Sequence, residues 1–233
     1  MKEGDFLMLE AIIFDLDDTL YDYSAWNKKA IEELCLFVHR QINISQTSFY
    51  EAFHWSRREI KRLLGSTGSS HNRLLYCQKT LEYLGYPPAT LALDMYEVYW
   101  GYMLQHMSLR DGVWELLDYC KKKKMKIGIC TDLTAHIQHR KIRKLGLSEW
   151  IDGIVTSEEA GAEKPNEKIY QMILKKLKTS PENTIFVGDD LEKDVKGPIK
   201  AGMKAIWFHS EKQEPYHTCS SFVEVKEFFN GWE

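Results

Sequence analysis

Short continuous apolar runs, alternating with helical patterns, constrain the fold of this sequence more than any other feature. From Met107 onward the runs are Lys126–Cys130, Gly153–Val155, Thr184–Val187 and Ala205–Phe208, and Ala11–Phe14 lies near the N-terminus. Bounded by Gly, Asp or Thr, they have the texture of strands buried in a parallel sheet. Between them, Val113–Lys124, Ala135–Leu145, Asn166–Lys178 and Leu191–Ala201 read as amphipathic helices. The alternation predicts an α/β fold, a doubly wound parallel sheet with helices on both faces.

Residues from about Ser24 to Met107 have a different texture. No clear strand is visible, and Ser24–Arg40, Ser48–Leu64, Ser70–Leu84 and Ala89–Met107 read as helices. Breakers separate them at Asn43–Ser45, Gly65–Gly68 and Gly85–Pro88. The expected organisation is a core of residues 1–20 and 108–233, with a helical bundle, residues 21–107, inserted after the first strand.

The length of 233 residues suits such a core plus insertion, and can bury a full core without disulfides or a structural metal. A net charge of −3 and a pI near 6.3 argue against a nucleic-acid surface or a polybasic membrane anchor. Lys121–Lys124 reads as a solvated helix end. Five scattered cysteines (Cys35, Cys77, Cys120, Cys130 and Cys219) form no CxxC pair and suit reduced thiols in a cytosolic protein. The N-terminus lacks a signal-peptide pattern and no apolar run would span a bilayer, so the expectation is a soluble, cytoplasmic protein.

Four segments at or just after the ends of predicted strands carry chemistry, at the edge where parallel sheets bind ligands. Asp15-Leu16-Asp17-Asp18-Thr19 follows Ala11–Phe14. Carboxylates two residues apart can divide the work of nucleophile and general acid–base, although an Asp-rich turn is common at a strand end. Thr131, followed by Asp132, offers a hydroxyl to a phosphoryl oxygen beside a helix N-terminus, or merely a helix cap. Lys164 precedes Pro165, which fits a first helical turn; a cation at a helix start is unfavourable unless an anion compensates. Gly188-Asp189-Asp190-Leu191-Glu192-Lys193-Asp194 clusters carboxylates that suit a hard cation such as Mg²⁺, or simply complement a helix dipole.

In order, spacing and strand-end placement these segments resemble the four signature motifs of the haloacid dehalogenase-like superfamily. Asp15-x-Asp17-x-Thr19 matches the first, Thr131 the second, Lys164 the third, and Gly188-Asp189 with Asp194 the fourth. The helical insertion resembles the family's first cap class. The resemblance implies a Mg²⁺-dependent phosphatase acting on a small phosphorylated metabolite. It further implies Asp15 as nucleophile, Asp17 as acid and base, and Thr131, Asp132 and Lys164 at the phosphoryl group. The metal would be held by Asp15, the Asp17 backbone carbonyl and Asp189, with Asp190 or Asp194 behind it. Asp17 must then carry a proton when substrate binds, and a neighbouring carboxylate together with the anionic phosphate is expected to raise its pKa.

Asp at position 17 argues against dehalogenase activity. A phosphomutase on a sugar phosphate, or a non-catalytic binding protein on the same scaffold, are the competing readings. Most aromatics of the insertion, among them Tyr21, Tyr23, Phe53, Trp55, Tyr76, Tyr99 and Trp100, are expected to form the bundle core. His71 and Arg73 follow the Gly65–Gly68 break and open a helix, so they are candidates to face substrate, with Arg73 pairing a carboxylate or second phosphate; an exposed helix-start arginine is the alternative.

Overall fold

The computed structural model describes residues 9–211 and 213–230. Strand β1 (Ala11–Phe14) is followed by helices α1 (Tyr23–Ile42), α2 (Gln46–Leu64), α3 (Arg73–Tyr83) and α4 (Ala92–His106). Then come α5 (Val113–Lys122), β2 (Lys126–Thr131), α6 (Ala135–Lys144), β3 (Gly153–Thr156), α7 (Ser157–Ala160), α8 (Glu167–Leu177) and β4 (Thr184–Gly188). Helix α9 (Gly197–Lys200), β5 (Lys204–Phe208), β6 (Thr218–Cys219) and α10 (Phe222–Asn230) complete the described chain. The six strands form one parallel sheet in the order β3-β2-β1-β4-β5-β6, the α/β architecture that the alternation predicts.

Burial on both faces explains the unbroken apolar runs. Along β1, Ile12 and Phe14 pack into one core with Ile127, Ile129, Ile185 and Val187. Ala11 and Ile13 face the opposite core with Cys130, Val155, Phe186 and the α8 residues Ile169, Tyr170 and Ile173. Successive side chains of a strand point to opposite faces, so a strand covered on both sides needs apolar residues at every position. Burying each such side chain contributes roughly 1.5–3 kcal/mol.

Between β1 and β2, α1 packs on α4 and α2 on α3. Asp22 caps α1 by accepting from the Ala25 amide at 2.9 Å, and Ser45 caps α2 through the Ser48 amide at 3.0 Å. Asn43 ends α1 in the left-handed region (φ 51°), a conformation asparagine tolerates. Tyr21, Phe53, Tyr76, Tyr99 and Trp100 are buried as expected, whereas Tyr23 and Trp55 are only partly buried. All five cysteines are free and buried.

Two expected elements differ. Leu191–Ala201 is not one helix: a wide π-type turn, Leu191–Lys196, precedes the short α9. The Asp190 side chain accepts from the Glu192 and Lys193 amides, and the Tyr170 hydroxyl takes the Lys193 carbonyl, so that oxygen has a partner outside its helix. Strand β6 and helix α10 carried no alternation signal; the first is only two residues long and pairs with the edge strand β5.

Candidate active site

Register gathers the chemistry. Phe14 lies opposite Ile129 of β2 and Val187 of β4, and the Asp15 amide donates to the Val187 carbonyl at 3.0 Å. The chain therefore delivers Asp15, Thr131 and Gly188-Asp189 to one edge of the sheet, at the C-terminal ends of adjacent strands.

Lys164 joins them from the segment before α8. Its Nζ lies 2.5 Å from Asp15 and 2.6 Å from Asp194, and all three side chains are buried. This corrects the expected helix-start placement: Asn166, not Lys164, caps α8, and Pro165 precedes the helix. Lys164 is balanced by two carboxylates rather than set against a helix dipole.

Asp15, Asp189 and Asp194 each offer an oxygen, and these oxygens lie within 4.8 Å of one another. Burial pushes the Asp15 carboxyl up to about 8, with Lys164 opposing and Asp194 and Asp17 adding to the rise. Burial also lifts Asp189 to about 7, helped by Asp15 and Asp18, and Asp194 to about 6 against the pull of Lys164. Burial is the main cause of all three rises, and Lys164 is the ammonium that pairs directly with Asp15 and Asp194. Three converging hard oxygen donors within 4.8 Å of one another fit Mg²⁺. Thr19 donates to Asp189 at 3.2 Å, and the Trp207 indole fixes the Asp189 carbonyl at 2.7 Å.

Of the two acids left open behind the metal, Asp194 belongs to the trio and Asp190 does not, since its carboxylate caps the π-type turn. Gly188 matters for a different reason from a tight strand exit. A Cβ at this position would stand 2.5 Å from Asp194 Cβ and Cγ, so glycine is what lets Asp194 approach β4.

The side chain of Asp17 turns away from the trio. Both of its oxygens meet Lys141 Nζ, at 2.7 and 2.8 Å, Tyr21 donates to it at 2.5 Å, and Gln138 at 3.3 Å. Any metal contact from Asp17 is therefore left to its backbone carbonyl. Burial would raise the Asp17 carboxyl, but Lys141, Tyr21 and Gln138 outweigh it and hold the group below the usual carboxylate value. The expected rise in Asp17 pKa is thus corrected for the ligand-free protein: a buried lysine, not a carboxylate, is the dominant charged neighbour.

Thr131 is buried, with its Oγ1 accepting from Gln138 at 2.7 Å. The Asp132 carboxylate is occupied, accepting from the Lys164 amide at 3.0 Å and from Lys193 Nζ at 2.9 Å, and its carbonyl accepts from Gln138 at 2.7 Å, so its side chain is not left for a substrate. His71 also has a partner: its Nε2 lies 2.8 Å from Glu163, which Lys61 and Ser70 reach at 3.0 and 3.1 Å. These contacts tie the insertion to the segment carrying Lys164 rather than leaving His71 free for substrate. Arg73 is buried, not exposed: its guanidinium donates to the His71 carbonyl and the Tyr23 hydroxyl and lies within 6.0 Å of the ring centres of Tyr23, Tyr76, Tyr99 and Trp100.

Sequence reasoning missed Lys141, Gln138 and Tyr21. A signal existed in α6: Ile137, Gln138, Lys141, Ile142 and Leu145 fall at helical spacing on one buried face, so a lysine occupies a core-facing position.

Converging carboxylates and an immobilised ammonium thus stand together at the edge where parallel sheets bind ligands. The chain belongs to the haloacid dehalogenase-like hydrolases, whose sequence profile matches residues 12–208, and it is a phosphatase of that family. It is 35% identical over 209 residues to the ribulose-1,5-bisphosphate 5-phosphatase of Halopiger xanaduensis, covering 88% of this chain and 87% of that one. It is 28% identical to the glyceraldehyde 3-phosphate phosphatase of Methanothermobacter thermautotrophicus, covering 89% and 88%. Among solved structures, the magnesium-bound hydrolase YfnB of Bacillus subtilis superposes with a TM-score of 0.72 at 21% identity, over 96% of this chain and 99% of that one. The 2-haloacid dehalogenase of Pseudomonas syringae does so with a TM-score of 0.78 at 21% identity, over 97% and 100%; these two likenesses concern the fold alone. Among the described residues, no helix is long and apolar enough to cross a membrane.

Proposed function

We propose that the protein hydrolyses a small sugar phosphate monoester through a phosphorylated Asp15, with Mg²⁺ held by Asp15, Asp189 and the Asp17 carbonyl, and Asp194 behind them. The observation that carries this reading is the convergence of Asp15, Asp189 and Asp194, whose oxygens lie within 4.8 Å of one another, with the Lys164 ammonium shared by the buried Asp15 and Asp194. The relatives named above act on phosphorylated sugars, which supports that substrate class. The inserted helices, residues 21–107, act as a cap over the core of residues 1–20 and 108–233.

Bound Mg²⁺ supplies the charge that lets an anionic ester approach carboxylates. Lys164 and the Thr131 hydroxyl hold the phosphoryl oxygens, together with the backbone at Asp132. An Asp15 oxygen attacks phosphorus, the bond to the sugar oxygen breaks, and Asp17 gives that oxygen a proton. In the second step the Asp17 carboxylate takes a proton from water, whose oxygen attacks phosphorus and releases Asp15 and inorganic phosphate. Asp17 is ionised in the ligand-free protein, so its proton arrives with the substrate: a phosphate monoester has a second pKa of ~6 and brings one as the monoanion. The approaching anion then raises the Asp17 pKa. Positioning and charge neutralisation of this kind dominate phosphoryl-transfer catalysis.

Arg73 has no carboxylate partner among the described residues, so its charge remains for a second anionic group of the substrate. A phosphate-release screen of phosphorylated sugars, with and without Mg²⁺, tests the reading. Mg²⁺-dependent release that is lost in Asp15→Asn supports it; turnover by Asp15→Asn removes Asp15 from the nucleophile role.

A further inference from the structure

Lys141 is a fully buried lysine to which the two chemical steps above give no task. Its charge is stripped of water, a cost of several kcal/mol unless well paired, and its partner is the carboxylate assigned to proton transfer. The pairing is two-pronged: Nζ meets both Asp17 oxygens, while Tyr21 and Gln138 occupy them from other directions. Held by three side chains, the carboxylate has one orientation.

The enclosure of this pair comes from the other part of the molecule. Lys141 belongs to α6, next to β2, but its ammonium lies 5.3 Å from the Tyr23 ring centre and 5.1 Å from that of Trp100, on α1 and α4. The Tyr21 ring, in the link into α1, lies 5.9 Å away. Aromatic faces attract an ammonium and exclude water, and removing water strengthens an ion pair several-fold. Arg73, held by the same Tyr23 and Trp100 rings, is a like charge that repels the Lys141 ammonium from the cap side.

We propose that Lys141 is the positioning residue for Asp17, and that the cap completes it. When α1 and α4 sit against α6, Tyr23 and Trp100 close over the Lys141–Asp17 pair and fix the acid–base carboxylate; with the cap lifted, the pair is wet and loose. Proton transfer is thereby tied to a seated cap. This role rests on the phosphatase reading above.

The test exploits leaving groups. Expulsion of dinitrophenolate needs no proton, whereas expulsion of a sugar or glycerol alkoxide does, and a positioned acid is worth roughly 10²–10⁴-fold. Acid-quenched single turnovers of the Mg²⁺-loaded enzyme, with dinitrophenyl phosphate and with glycerol phosphate, measure phosphorylation of Asp15 and its hydrolysis separately. In Lys141→Met, phosphorylation by glycerol phosphate should fall at least about tenfold more than phosphorylation by the dinitrophenyl ester. Hydrolysis of the phosphoenzyme should also slow, with KM changing far less than kcat. Trp100→Leu should show the same bias in weaker form.

Equal losses on both esters, or no loss, would overturn the role of Lys141. If Lys141→Met folds poorly, Lys141→Ala with added propylammonium replaces it: selective recovery of glycerol phosphate turnover supports the proposal, and recovery on neither ester overturns it. Wild-type turnover without any trapped phosphoenzyme would instead overturn the aspartyl-phosphate reading, leaving the two failures distinguishable.

Discussion

The Lys164 ammonium lies 2.5 Å from Asp15 and bridges it to Asp194 at 2.6 Å, so one buried cation serves two buried carboxylates 179 positions apart in the chain. Opposite charge on that scale cannot be removed from one side alone without consequence. Breaking a buried ion pair by deleting one partner costs ~3–5 kcal/mol. Lys164→Met should therefore lower the unfolding temperature, abolish turnover and weaken vanadate binding at least about tenfold, a loss of ~1.4 kcal/mol. Vanadate titration of the folded variant checks this; unchanged affinity would reduce Lys164 to a structural counter-ion.

Gly188 makes a sharper test of the metal site, because its replacement removes no carboxylate. A Cβ at 2.5 Å from Asp194 forces that side chain, or β4, to move. Wild-type protein should gain thermal stability with Mg²⁺, ~2.7 kcal/mol when the ion is at a hundred times its Kd. Gly188→Ala should lose most of that gain, while Asp190→Asn, which alters only the turn cap, should keep it. Melting curves with and without Mg²⁺ decide; an undiminished gain in Gly188→Ala would count against Asp194 as part of the metal site.

Glu163 predicts a pH dependence of stability. Burial acts to raise its carboxyl, but His71 and Lys61 hold it down to about 2 from an ordinary 4.5. A depressed carboxyl contributes stability that is present above 4.5 and is lost as pH falls from there toward 2. The shift corresponds to at most ~3 kcal/mol, and to less in practice because the Lys61 side chain is 46% exposed. Glu163→Gln should therefore be less stable than wild type at pH 7, with the gap closing as the pH approaches 2.5. Urea unfolding across that range measures it; a gap constant with pH would contradict the assignment.

Arg73 is held by four aromatic rings and two hydrogen bonds, so its removal should act on the cap as well as on substrate. Arg73→Ala should destabilise the protein by roughly 2–4 kcal/mol, a range typical of an emptied core position. If its charge also reads a second anion, kcat/KM for a sugar bisphosphate should fall about ten- to a hundredfold further than for a generic aryl phosphate. Equal losses on both would make Arg73 a cap-stabilising residue only.

Legibility followed locality. Asp15 and Asp189 were readable because each directly follows an apolar run that can only be a buried strand. Lys164 was readable as a motif, but its expected helix start was wrong, since the carboxylates that balance it are far away in sequence. Asp132 and His71 looked available as polar residues near strand or helix ends, yet both are engaged by partners distant in sequence, Lys193 and Glu163. Lys141 was overlooked because a lysine on an amphipathic helix ordinarily carries its charge to water.

What the sequence determined by itself is the parallel sheet, the helical insertion and the set of groups brought to the strand ends, because hydrophobic periodicity and strand exits are local properties. What only the tertiary structure decided is how those groups are shared. Which acid joins Asp15 and Asp189, which cation holds Asp17, and which candidates are already engaged depend on contacts between segments far apart in the chain, such as Asp15 and Lys164, 149 positions apart. Charge pairing and desolvation act through space, and the spacing of residues along a chain does not carry that information.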